Sequence, residues 1–172
     1  IRRQRQMCIR DRPTEYAYKS KSEGGIWEEG DLRRDESIRY DFTYLGITPT
    51  EVSWGADELD PHIKKYEDER TDQFNGNLAN EWYSGKNFIV LRYADVLLCY
   101  AECLNELGET GEANTVVNQV RARAWGGTLP NEMAWNYGQD EFRVQIMDER
   151  IRELCFEGWR RMDLIRTGKF VE

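Results

Sequence analysis

The spacing of apolar residues changes at Phe88, and that change limits the fold more than any other feature of the chain. Downstream, Leu97, Tyr100, Ala101, Leu104 and Leu107 recur at the three- and four-residue steps of an amphipathic helix, and Gly108 supplies a C-terminal stop. Thr110 and Gly111 read as the turn. Ala113, Val116, Val117, Val120 and Ala124 then mark a second helix, ended by Gly126-Gly127. So short a connection predicts an αα-hairpin. A second pair follows. Asp140 reads as the N-cap of a helix through Phe142, Ile146, Met147, Ile151, Leu154 and Cys155. Gly158 interrupts it, and Trp159, Met162 and Ile165 continue as a shorter helix to Gly168.

Residues 13–87 behave differently. Turn formers cluster at Gly24-Gly25, Gly30-Asp31, Pro49, Asp60-Pro61, Asn75-Gly76 and Ser84-Gly85. Between them Ile38, Tyr40, Phe42 and Tyr44 alternate with Arg39, Asp41 and Thr43, which predicts a half-buried strand over Ser37–Leu45. A shorter strand is expected through Ile63–Tyr66. The remainder is loop, and loops of this length in compact domains commonly carry function.

The charge distribution sets the first twelve residues apart. IRRQRQMCIRDR holds five Arg and one Asp, a local +4, so the other 160 residues carry −12 of the overall −8. With no apolar h-region the segment is not a secretory signal. It is set aside from the fold as a non-native leader. The acidic remainder excludes nucleic acid, whose phosphates need a clustered basic surface, and disfavours docking on anionic lipid heads. No apolar run reaches the length of a membrane span.

Metal and redox chemistry find no footing. Cys99 and Cys103 stand four apart on one helical face, His62 is far away as the chain's one histidine, and no zinc spacing appears. The cysteines read as unpaired core residues, and no cofactor is implied.

The first hairpin resembles a tetratricopeptide unit. Ala101 and Ala113 stand where that repeat's helices approach closely, and Leu97, Leu104 and Val117 match its larger packing positions. The consensus tryptophan and proline are absent. Fewer than three such units do not bury a continuous core, so partner helices are expected upstream, and a chain without them is expected to be marginal or aggregation-prone.

A longer succession is more specific. Arg92-Tyr93-Ala94-Asp95-Val96-Leu97-Leu98 leads to Glu102 and Leu104-Asn105-Glu106-Leu107-Gly108. Val117-Asn118-Gln119-Val120-Arg121-Ala122-Arg123-Ala124 comes next. Then follow Glu149-Arg150, Glu153-Leu154, Phe156-Glu157-Gly158, Arg160, Asp163-Leu164, Arg166 and Gly168-Lys169. This series resembles the carboxy-terminal signature of the SusD/RagB family, closely over residues 88–170 and loosely over 31–87, through Asp31-Leu32-Arg33-Arg34-Asp35 and Lys65-Tyr66. The resemblance implies a mainly α fold, with tetratricopeptide-like helix hairpins supporting an irregular, loop-rich region that carries short strands. It also implies a surface lipoprotein of the outer membrane, tethered through a lipid anchor upstream of this sequence. Such a protein captures oligosaccharide or a related nutrient, without catalysis, for a SusC-like TonB-dependent transporter.

Read from the residues alone, the charged tail is structural. Glu149, Glu153 and Glu157 fall at i, i+4 and i+8, and Arg152, Arg160, Arg161 and Arg166 lie within three or four residues of an acid. Exposed pairs of this kind contribute only about 0.2–0.5 kcal/mol each. Their regularity fits a surface or inter-helix ion network that fixes packing. Glycosidase chemistry would instead need two carboxylates about 5–9.5 Å apart across a cleft, one held protonated. Acids beside arginines stay ionised.

Ligand contact is expected in the irregular region. A flat ring covers the C–H face of a sugar while amides and charges bind its hydroxyls. Trp54 and Trp82 lead the candidates, with Tyr83 and Trp27, and Asn75, Asn77, Asn80 and Asp57 as polar partners. Trp125, Trp135 and Trp159 read as packing residues. Two alternatives are a tetratricopeptide scaffold that binds a peptide, and a glycoside hydrolase.

Overall fold

A computed structural model of the chain describes residues 13–39, 61–66 and 87–170. Two compact units divide the chain, one from residues 1–25 and 34–88, the other from 26–33 and 89–172.

In the first unit, helix α1 (Glu15–Tyr18) is followed by a 3-10 turn at Lys21–Glu23. The Ser20 backbone N–H donates to Glu23 Oε2 at 3.1 Å, and the Ser20 hydroxyl donates to the same oxygen at 3.0 Å, satisfying donors that a helix start leaves open. Helix α2 (Arg33–Ser37) begins at the last residue of the other unit's 26–33 segment and leads into strand β1 (Ile38–Arg39). This pairs antiparallel with β2 (His62–Ile63), Ile38 opposite Ile63 and Arg39 opposite His62. Pairing therefore begins where the alternation predicts a strand. Residues 40–45 lie outside the described residues, as do the predicted turns at Pro49, Asn75-Gly76 and Ser84-Gly85. The second strand starts one residue before Ile63 and does not extend through Tyr66. Tyr66 instead stacks on Phe88, their rings nearly parallel with centroids 6.3 Å apart.

The second unit is helical. Helix α3 (Tyr93–Glu106) and helix α4 (Thr110–Ala124) form the expected hairpin. Its turn is Leu107–Glu109, with Gly108 at φ 89°, a left-handed conformation that glycine adopts without the Cβ clash. Thr110 and Gly111 are thus the first turn of α4 rather than the loop, and the Thr110 hydroxyl donates to Asn105 Oδ1 at 2.9 Å. Ala101 and Ala113 are both sealed from solvent, as a close approach of two helices requires.

Helix α5 (Gln139–Glu153) packs against α3 and α4. Gly138, not Asp140, is its N-cap residue. Asp140 sits in the first turn and pairs with Arg143 at 2.6 Å on the surface. The core joins Leu98, Ala101 and Leu104 of α3 to Val116, Val117 and Val120 of α4 and Phe142, Ile146 and Met147 of α5. Burying each large aliphatic or aromatic chain contributes roughly 1.5–3 kcal/mol. Trp135 meets Phe142 edge-on, centroids 5.6 Å apart at 89°, the arrangement favoured by the ring quadrupoles. The helix stops at Glu153, two residues before the predicted end, and Phe156 (φ 64°) and Gly158 (φ 86°) turn the chain into helix α6 (Arg160–Arg166).

The connector from α4 to α5 runs extended along α4 and is bonded by side-chain amides. Asn118 accepts from the Trp135 N–H at 2.8 Å and donates to the Trp135 carbonyl at 3.1 Å. Asn114 does the same for Tyr137, at 3.2 and 2.9 Å. Arg121 donates to the Met133 carbonyl at 2.9 Å. The steps match, because two extended residues advance about 6.6 Å and four helical residues about 6.0 Å. The helix thereby stands in for a β-partner of this strand-like segment, of which Trp135 is the buried residue.

One face of α3 is exposed to solvent. Tyr93, Val96, Tyr100, Cys103 and Leu107 follow at +3, +7, +10 and +14 and are all exposed, Tyr93 at 74% and Leu107 at 79%. The preceding run Phe88-Ile89-Val90-Leu91 is exposed as well. Cys99 and Cys103 are therefore surface residues, not the core residues predicted, and of the described cysteines Cys155 is the buried one. Cys99 lies at the rim of a charge network, with Arg150 Nη1 3.4 Å from its sulfur, and burial pushes its thiol pKa up.

Candidate functional site

The chemistry of the helical unit is concentrated in two sets of ion pairs. At the centre of the larger set stands Glu149, which is fully buried. Its Oε1 accepts from Arg33 Nη1 at 2.7 Å, and its Oε2 from Arg121 Nη1 at 2.9 Å and Arg152 Nη2 at 2.8 Å. Glu28 bridges the latter two arginines, 2.6 Å from Arg121 and 3.4 Å from Arg152. Asp31 grips Arg33 through both oxygens, at 2.9 and 2.6 Å.

One helical turn on, Glu153 accepts from Arg33 at 3.0 Å and also from Arg92 and Arg123. Arg92 completes its fork on Glu157 at 2.9 Å. Five carboxylates (Glu28, Asp31, Glu149, Glu153 and Glu157) thus meet five guanidinium groups (Arg33, Arg92, Arg121, Arg123 and Arg152). Such balance is the condition under which charges tolerate burial.

The smaller set ties α3, α5 and α6 together. Arg150 reaches Asp95 and Asp163, each at 2.9 Å, and Arg166 grips Glu102 at 2.5 and 2.8 Å and Asp163 at 2.8 Å. Nearby, Asn105 exchanges hydrogen bonds with Gln139, donating to its carbonyl at 3.1 Å and accepting from its side chain at 2.6 Å.

Electrostatics fix the protonation states. Burial works to raise the pKa of Glu149, but the guanidinium groups of Arg33, Arg152 and Arg121 outweigh it and hold the carboxyl well below the usual range. Glu153 follows the same logic, with burial opposed by Arg33 and Arg92 and a net lowering. Neither acid keeps a proton to donate near neutrality. Both are held ionised by arginines, so neither is poised as a general acid.

Several predicted residues converge, though not as the sequence suggests. Arg92, Arg121, Glu149, Glu153 and Glu157 enter the larger set, and Asp95, Glu102, Arg150, Asp163 and Arg166 the smaller. The pairs are mostly buried and inter-element rather than exposed steps along one helix. Glu157 lies beyond the end of α5, yet Arg92 brings it to the same cluster. Tyr93 and Arg160 differ from the reading, because both side chains stand at the surface outside the two networks.

Residues 26–33 supply partners that sequence reasoning missed, namely Glu28, Asp31 and Arg33. Asp31 and Arg33 stood in the sequence string Asp31-Leu32-Arg33-Arg34-Asp35 that carries part of the resemblance, but nothing in it pointed to partners on α5. Trp27, a predicted ligand contact, is fully buried in the helical unit and offers no ring face to a ligand. Trp54, Trp82, Tyr83, Asn75, Asn77, Asn80 and Asp57 lie outside the described residues. Among the described residues no group of His, Cys, Asp and Glu could hold a metal ion, and no helix is long and apolar enough to cross a membrane.

Comparison with known proteins follows the same outline. The profile of the SusD family matches residues 10–172. The chain belongs to the SusD family. A SusD-like protein of Formosa agariphila is 47% identical over 91 residues, half of this chain and 18% of the relative, and a second from the same organism is 42% identical over 110 residues, 62% and 21%. The chain thus spans about a fifth of the length of these SusD relatives.

Solved structures agree with the helical fold. A SusD homolog from Bacteroides thetaiotaomicron superposes with a TM-score of 0.59 at 30% identity, over 82% of this chain and 30% of the other. A SusD-like carbohydrate binding protein from Bacteroides fragilis does so with a TM-score of 0.58 at 26% identity, over 80% and 29%. In this SusD-family chain Glu149, Arg150 and Glu153 are buried members of the charge networks.

Proposed function

We propose that this chain is part of a non-catalytic glycan-binding protein. In this reading it sits at the outer-membrane surface on a lipid anchor and hands oligosaccharide to a SusC-like TonB-dependent transporter. The observation that carries the reading is its likeness to a structure described as a SusD-like carbohydrate binding protein, joined to a family match over nearly the whole chain. The locked state of Glu149 and Glu153 supports binding over hydrolysis, since neither acid can cycle a proton.

Within this proposal the helical unit is the support and residues 34–88 carry recognition. Trp54 and Trp82 are the leading stacking rings, with Tyr83, Asn77 and Asn80 beside them. The net charge of −8 favours neutral sugars over acidic ones.

Native gel electrophoresis through starch, xylan, mixed-linkage β-glucan or galactomannan tests the reading. Retardation in at least one gel is expected, lost in Trp54→Ala with Trp82→Ala and without release of reducing ends. Free migration in all four gels, or sugar release abolished by Glu153→Gln, overturns it.

A further inference from the structure

The chain leaves the helical unit after Arg33 and re-enters it at Ile89, so residues 34–88 form one long excursion. Its flanking arginines end on the same carboxylate. Arg33 Nη1 donates to Glu153 Oε2 at 3.0 Å, and Arg92 Nη1 donates to Glu153 Oε1. Arg92 also donates to the backbone carbonyl of Glu153 and, through Nε, to Glu157 at 2.9 Å. Arg33 is fixed further by Asp31 and Glu149.

We propose that Glu153 is the clasp of this excursion, a positioning residue that joins its exit and its return. The Glu153 side chain is buried and both arginines are largely so, which limits screening of the pairs by water and salt. Closing a long loop costs entropy that grows only slowly with length, so a clasp at the base constrains both ends whatever the loop contains. Glutamate suits the role because one group offers two acceptor oxygens, one for each arm. An amide at the same position has a single acceptor and a repelling donor. The consequence for ligand contacts rests on the binding reading above, because Trp54 and Trp82 lie within the clasped stretch.

The test is amide hydrogen exchange on the full chain at one pH, with no sugar present. Glu153→Gln is expected to speed exchange together, by about tenfold or more, at Leu32, whose amide bonds the Ala124 carbonyl, and at Asp95 and Val96, whose amides bond the Arg92 carbonyl, with the rest of α3 and α4 unchanged. A residue that merely stabilised α5 would loosen α5 and its packed neighbours instead. Faster exchange at only one end, or at neither, overturns the clasp. Should Glu153→Gln fail to fold, Arg92→Lys decides, because it leaves Glu153 paired with Arg33 and Arg123. It is expected to speed Asp95 and Val96 by about fivefold while Leu32 stays protected, and unchanged exchange at Asp95 and Val96 overturns the proposal. No glycan enters this measurement, so the clasp can fall while the binding reading stands, and free migration of the unsubstituted chain through the gels removes the reading while leaving the clasp intact.

Discussion

Arg33 Nη1 lies 2.7 Å from Glu149 Oε1 although 116 residues separate the two in sequence. The contact anchors the 26–33 segment to α5, and Glu149 simultaneously serves Arg121 and Arg152. Glu149→Gln keeps the shape and removes the charge, leaving three guanidinium groups short of a counterion in a buried site. Breaking a buried pair this way costs about 3–5 kcal/mol. Chemical denaturation should show a drop of that size, and a change below about 1 kcal/mol would match an exposed pair and contradict the buried network.

Acid should undo the same cluster. Glu149 and Glu153 both titrate below their ordinary value of 4.5 in the folded chain, so the unfolded chain binds more protons in that range. The stability they contribute is therefore complete above the unfolded pKa and is lost as pH falls through 4.5 toward the folded values. Thermal scans are expected to be flat from about pH 6 to 8 and to fall steeply below about pH 5. Adding salt at pH 7 should shift the midpoint little, because the pairs are buried.

Helix positions were legible because the cues were local. Glycines 108, 126 and 158 and the apolar steps from Leu97 to Ile165 depend only on near neighbours, and the structure places helices there. Partner choice was not legible. Glu149 has arginines one and three residues away, and of these Arg150 turns to Asp95 and Asp163 while Arg152 shares Glu149 with Arg33 and Arg121. Nothing periodic marks residues 26–33 as part of the helical unit, and Trp27 beside glycine-rich turns looked exposed because burial there is set by tertiary contact. Cys99 and Cys103 erred the other way, since an apolar step on a helix does not say which of its faces is covered.

The asparagine bonding of the α4–α5 connector is a sharper case. Asn114 is buried and satisfies both the N–H and the carbonyl of Tyr137. Asn114→Ala would remove the partner of both backbone groups, at up to about 1–3 kcal/mol for each left unsatisfied. The expected result is a lower denaturation midpoint with faster amide exchange at Tyr137. Asn114→Asp should be little better, because a carboxylate cannot donate to the Tyr137 carbonyl.

Ala101 tests the closeness of the hairpin. It has no exposed surface and sits in the core with Ala113, Leu98 and Val117. Ala101→Leu adds three carbons where no space remains, and overpacking typically costs about 1–3 kcal/mol. Ala101→Gly would cost about 1 kcal/mol through helix propensity, with no clash. A leucine that stabilised the chain would mean that α3 and α4 are farther apart than their sealed alanines imply.

The uncovered face of α3 makes the last prediction. Val90, Tyr93 and Leu107 are each more than 70% exposed, and with Val96 and Tyr100 they extend an apolar strip along the helix. Contiguous patches of this kind drive association, and the exposed apolar run Phe88-Ile89-Val90-Leu91 beside them adds to it. Val90→Lys, Tyr93→Glu and Leu107→Glu combined should raise the concentration at which the chain stays monodisperse in light scattering. Because these side chains add little to the core, each substitution should change stability by no more than about 0.5 kcal/mol. Loss of folding in the triple variant would mean that the strip is already covered within this chain, and an unchanged scattering profile would place association elsewhere on the surface.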